Sequence, residues 1–179
     1  MSYVSVKLPR YKLFDVENTA PLLRQSLIFS IWLSSFFISI STVQASADRY
    51  KLSIGAHVIY AELAMTKTSR TQGLMHRRQL CENCGMLFIF PSEKKWSFWS
   101  KNTSLALSVA FIDKNGGIID ISNMEPGSLV VHTSPNNVAC ALEMPSGWFS
   151  NNYIKIGDKL LAHFDGRTKF GKLVQAKCG

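Results

Sequence analysis

Residues 105–121 read LALSVAFIDKNGGIIDI, and no other segment narrows the choice of fold as much. Two apolar runs, Leu105 to Ile112 and Ile118 to Ile121, flank the turn Asp113-Lys114-Asn115-Gly116-Gly117. Such runs on either side of a Gly-rich turn are a hairpin signal, because glycine reaches the backbone angles a tight reversal needs. His57 to Ala64 alternates in part, with Tyr60 and Glu62 opposite Ile59 and Leu63. Met86 to Phe90 (MLFIF) is a continuous apolar run, expected to be a buried strand stopped by Pro91. Val138 to Met144 alternates so that Val138, Cys140, Leu142 and Met144 share one face, with Ala139, Ala141 and Glu143 on the other. A closing strand is expected over 159–164, after the turn Ile156-Gly157-Asp158.

Helical signals are few. Thr66 can cap a helix predicted over 68–74 and ending near Gly73, and a second short helix is predicted over 146–152. The expected class is therefore mainly β: an antiparallel jelly-roll-like sandwich or barrel with one or two short helices. A chain of 179 residues with 46% hydrophobic content is too apolar for disorder and allows one main domain. That domain is placed at 48–165, with a Gly- and Lys-containing tail at 166–179.

Before it, Leu27 to Ile40 runs for fourteen residues without a charge, preceded by Arg24 and followed by Ala45-Ser46-Ala47. A basic flank, a short apolar core and a small-x-small ending make a secretory signal peptide. Residues 1–47 are read as an N-terminal extension plus that signal, cleaved after Ala47, which makes the protein periplasmic or secreted. The apolar core is shorter than the ~20 residues a membrane span needs, so no stable span is expected after cleavage.

The formal charge is +8, yet Arg77-Arg78 and Lys94-Lys95 are the only paired basic residues beyond residue 47. A nucleic-acid surface would cluster such residues on one element, and no nucleic-acid partner is expected. Attraction to an anionic envelope surface is the inference the charge does permit.

A set of motifs then accumulates in one order. Arg70-x-x-Gly73-Leu74-Met75-x-Arg77 is followed by Gly85-Met86-Leu87-Phe88-x-Phe90 and by Phe98-Trp99-x-Lys101-Asn102-Thr103. Phe111-Ile112-Asp113, Gly116, Ala141-Leu142-Glu143, Gly147 and Ile156-Gly157-Asp158 complete it. The chain resembles the domain of unknown function 192 family of small, often exported prokaryotic proteins. That resemblance implies a compact β-rich fold of jelly-roll or barrel type and no established activity. Three departures stand out. Ser100 replaces the family's usual Met, and Thr68 and Ser69 stand where acidic residues are common, so no capping box is expected. Asn137-Val138-Ala139 stands where relatives often carry Pro-Val-Arg.

The candidate ligand-binding set is Arg70, Trp99, Lys101, Asn102 and Glu143. Two cations, an amide and a carboxylate can hold a small polar ligand, while Trp96, Phe98, Trp99 and Trp148 offer ring faces for stacking. The competing reading makes Glu143 the internal ion-pair partner of Arg70 or Lys101, with Asn102 capping a turn. No catalytic residue is assigned. A glycosidase needs two carboxylates placed together, which no spacing here shows, and Gly-x-Ser-x-Gly is absent.

Cys81-Glu82-Asn83-Cys84 has a spacing shared by zinc, iron–sulfur and dithiol sites, but a strand rather than a helix follows it. With export, disulfides are expected instead, and of the three pairings Cys81–Cys84 with Cys140–Cys178 is preferred because it anchors the C-terminal tail. No metal and no cofactor is expected. The functional expectation is an exported, non-catalytic envelope module for a small polar or glycan-like ligand. Its alternatives are a structural or accessory envelope protein without a small ligand and, third, a hydrolase using Glu143.

Overall fold

Among the described residues, each apolar run of the domain becomes a strand. The computed structural model describes residues 48–163 together with Val174 and residues 176–178. The expected signal segment at 1–47 and most of the expected tail lie outside the described residues. Strands β1 (Tyr50–Ile54) and β2 (His57–Ala64) form a first hairpin. Helix α1 (Lys67–Gln72) then leads to the long strand β3 (Cys84–Lys94) and the two-residue strand β4 (Ser97–Phe98). The hairpin read from residues 105–121 is present as β5 (Leu107–Ile112) and β6 (Ile118–Met124). Strands β7 (His132–Thr133) and β8 (Val138–Pro145), helix α2 (Trp148–Asn151) and β9 (Leu160–Ala162) complete the order.

Seven strands make one curled sheet in the order β6-β5-β8-β3-β2-β1-β9, and β4 with β7 make a separate two-stranded ribbon. The two edges of the large sheet meet at one end. Gly117 bridges Lys159, Ile118 donates to the Asp158 carbonyl, and Leu160 donates to that of Gly116, each bond at 2.9 Å. The fold is mainly β, a half-barrel of the expected kind.

One pairing departs from antiparallel. Strands β2 and β3 run parallel, so β2–α1–β3 is a crossover unit that carries α1 over one face of the sheet. Strand β3 also continues past Pro91 to Lys94, beyond the stop expected there. Its register with β8 slips between Ile89 and Lys94, and the exposed Pro91 sits inside that irregularity, where no ladder bond is demanded of it.

Both faces of the central strands are buried, which explains why β3, β5 and β8 read as continuous apolar runs. Paired residues across a sheet point to the same side. The row Leu63, Leu87, Leu142, Ala110 and Ile121 belongs to the cluster that also holds Trp148, Phe149 and Cys178. The row Ala64, Phe88, Ala141 and Phe111 belongs to the second cluster, with Leu74 and Phe98. The alternation read for β8 holds from Cys140 to Met144, whereas Val138 joins the second cluster and Ala139 the first, beside the register slip.

The cysteines pair as preferred from the sequence: Cys81 with Cys84 and Cys140 with Cys178, at Cα separations of 5.0 and 5.9 Å. Among the described residues no helix is long and apolar enough to cross a membrane.

Candidate functional site

Helix α1 is short, so its ends carry most of its local stability. The Thr66 hydroxyl accepts from the Ser69 amide at 3.0 Å, and the Ser69 hydroxyl accepts from the Thr66 amide at 2.9 Å. This is a reciprocal capping box, contrary to expectation, because Ser69 fills the role usually given to an acidic side chain. Lys67 and Arg70 stand three residues apart and therefore on one side of the helix. Gly73 ends it at φ +48°, and a Cβ there would lie 3.3 Å from the Phe88 ring and 3.9 Å from Glu143 Oε2. A side chain at that position would be strained and would intrude on the space before Glu143.

That space is a cavity of about 500 Å³ between α1, β3 and the β4 ribbon. Phe88, Phe90, Trp96, Phe98 and Trp99 form its walls. The Phe90 and Trp96 rings stack at 4.4 Å, and Phe98 meets Phe88 edge-on at 4.9 Å. Lys67 and Arg70 line the α1 side, and Glu143 reaches the cavity from β8.

Glu143 is the unusual member. It lies in the row Glu62, Met86, Glu143, Val109, deep in the second face of the sheet. Its carboxyl group is buried, and Oε2 has no hydrogen-bond partner among the described residues. Taking a carboxylate out of water disfavours its charge, so burial pushes the Glu143 carboxyl up to about 8 and leaves it largely protonated at neutral pH. Glu62, two strands away in the same row, is treated differently. It receives a bidentate contact from Arg77 at 2.6 and 2.5 Å, with Arg49 at 3.9 Å.

The ion-pair reading of Glu143 is not what the structure contains. Arg70 directs Nη1 to the backbone carbonyls of Met65 and of Ile89, the latter at 3.2 Å, so it packs against β3 as expected but makes no salt bridge to Glu143. Of the five residues read as a ligand set, Arg70, Trp99 and Glu143 share the cavity, and Lys101 and Asn102 do not line it. The Lys101 ammonium lies over the Trp99 ring, 5.3 Å from its centroid. Asn102 sits at φ +57°, and its carbonyl accepts from the His76 amide at 2.9 Å, tying two turns together. Trp148 is also elsewhere: it is buried in the other cluster and donates from Nε1 to Asn83 Oδ1 at 2.9 Å.

Ser100, which replaces the family's usual Met, is buried and donates to the carbonyls of Glu125 and, at 3.4 Å, Ser128. It thereby fastens the segment between β6 and β7 beside Trp99. Lys67, Gly73, Phe88 and Phe90 are site residues that sequence reasoning missed. The three-residue spacing of Lys67 and Arg70 on a capped helix was the available signal for the first of them.

The sequence model of the domain of unknown function 192 family, described as "Uncharacterized ACR", matches residues 50–162. A crystal structure from Sinorhizobium meliloti, of a protein provisionally named a transcription regulator, is 34% identical at a TM-score of 0.64. The similarity covers 66% of this chain and 97% of that one. A protein of unknown function from Novosphingobium aromaticivorans is 26% identical at a TM-score of 0.62, over 68% of this chain and 90% of that one. Among curated proteins none matches.

Proposed function

The chain belongs to the uncharacterised domain of unknown function 192 family, and on that premise we propose that it is an exported cell-envelope protein whose cavity binds a small, sugar-like polar ligand without transforming it. One observation carries the binding reading: the buried Glu143 Oε2, which lines the cavity with no partner among the described residues. An unpaired buried acid costs folding free energy, and a ligand hydroxyl is the kind of group that would satisfy it. The aromatic walls suit the C–H face of a sugar ring, and the volume is within the range of small-molecule sites. Export is supported by the apolar run at Leu27 to Ile40 with its Ala45-Ser46-Ala47 ending, and two disulfides suit an oxidising compartment. Hydrolysis of a glycan would call for two carboxylates, and the described cavity lining supplies one.

The test is a thermal-shift screen of the purified protein against mono- and oligosaccharides and cell-wall fragments. A ligand at a hundred times its Kd adds about 2.7 kcal/mol, which should raise the midpoint of a domain this size by roughly 10 °C. Glu143→Met should abolish that shift while raising the midpoint of the free protein, because it replaces an unsatisfied acid with an apolar side chain. A flat panel, with Glu143→Met lowering the midpoint, would overturn the binding reading in favour of a structural or accessory envelope role.

A further inference from the structure

Resting on the reading that the cavity binds a sugar-like ligand, we propose that the ligand is an acidic sugar, its carboxylate held by Lys67 and Arg70, its ring against the aromatic wall and a hydroxyl on Glu143. The charge of the lining argues for this. Lys67 and Arg70 both face the cavity from α1, and neither forms a salt bridge among the described residues. Among the described residues, the Arg70 guanidinium is held through Nη1 alone, by the carbonyls of Met65 and Ile89. Its Nε and Nη2 have no partner among the described residues, which leaves the guanidinium edge suited to a bidentate carboxylate.

Among the described lining residues, nothing on the other elements offsets these cations. Strands β3 and β4 and the residues beside them bring aromatic rings and Ser97 to the cavity, with no titratable group. From β8 comes Glu143, whose burial favours the neutral acid, a donor to a hydroxyl rather than a repelling charge. Further along the same row, Glu62 is already neutralised by Arg77. A cationic ligand would therefore meet two fixed positive charges, and a neutral one would leave both unused. Trp99, at 46%, is the most exposed of the aromatic wall residues.

Isothermal titration calorimetry on the purified full-length protein at pH 6.5 tests this. The probes are glucuronic and galacturonic acid, glucose and galactose as their neutral counterparts, and inorganic phosphate as a bare anion. At least one acid should bind tenfold or more tightly than its neutral counterpart, and more tightly than phosphate. Arg70→Gln should remove that preference, and because Arg70 also ties α1 to the β3 backbone it should weaken neutral-sugar binding as well. Lys67 is exposed at the start of α1, so Lys67→Gln is the variant that keeps the fold, and it should lower acid affinity at least threefold. Equal affinity for acid and neutral sugars would overturn this proposal and leave the sugar-binding reading intact. Phosphate binding as tightly as the acids would overturn it as a bare anion site. Failure of both acids to bind would overturn it too, whereas the wider screen above judges the binding reading by itself.

Discussion

At the residue scale the central fact is a carboxyl group folded into a place that disfavours its charge. Burial pushes the Glu143 carboxyl up to about 8, whereas in the unfolded chain it titrates near its ordinary value of 4.5. Below the lower value both states are protonated and the group adds no pH dependence. Between the two, the unfolded chain releases a proton that the folded protein keeps, so stability falls as pH rises, at about 1.4 kcal/mol per unit for one proton. Above the folded value the loss is complete and levels off. Urea unfolding at pH 5 and pH 8.5 should therefore show the wild type weakened by a few kcal/mol relative to Glu143→Gln, whose amide does not titrate. Equal pH profiles for the two proteins would mean that Glu143 finds a partner or water in solution. Glu143 was legible in sequence as a charged residue in an apolar alternating run. Its lack of an ion-pair partner was not, because that depended on how Arg70 is spent on the carbonyls of Met65 and Ile89.

At the element scale, the site depends on a helix of six residues with no fully buried side chain. So short a helix is not stable alone. It is held by the Thr66–Ser69 box, by Arg70 on the β3 backbone, and by Leu74 packing just beyond its end. Thr66→Ala should cost about 1 kcal/mol. Because Lys67 and Arg70 ride on this helix, the variant should also speed amide exchange across residues 67–73 and weaken ligand binding. Native-state hydrogen exchange read by NMR checks it, and unchanged protection there would show that tertiary contacts alone hold the helix. The β5–β6 hairpin could be read from sequence because its two strands and its turn are contiguous, so the signal is local. The parallel β2–β3 pair could not, since the strands are joined through α1 and nothing in either run specifies direction. Pro91 misled for a similar reason. It ends a strand only where its missing N–H would be called on, and the register slip with β8 removes that demand.

At the scale of the whole molecule, the question is what keeps a curled sheet with meeting edges from opening. The bonds between Gly116–Ile118 and 157–160 close one end, but they join short segments at the margin. The longer-range tie is Cys140–Cys178, which fastens β8, third in the sheet order, to Cys178 across a separation of 38 residues. A loop of that length removes unfolded-state entropy equivalent to about 4 kcal/mol, against roughly 1–2 kcal/mol for the three-residue loop of Cys81–Cys84. Cys140 and Cys178 are also both buried in the first core cluster, so removing their sulfurs adds a packing cost in the same direction. Urea unfolding of the Cys140→Ala/Cys178→Ala double variant should show a loss of at least 3 kcal/mol, roughly double that of Cys81→Ser/Cys84→Ser. If the second pair proves the costlier, then its value lies in the native turn before β3, where Asn83 accepts the Trp148 indole N–H, and not in the length of chain it closes.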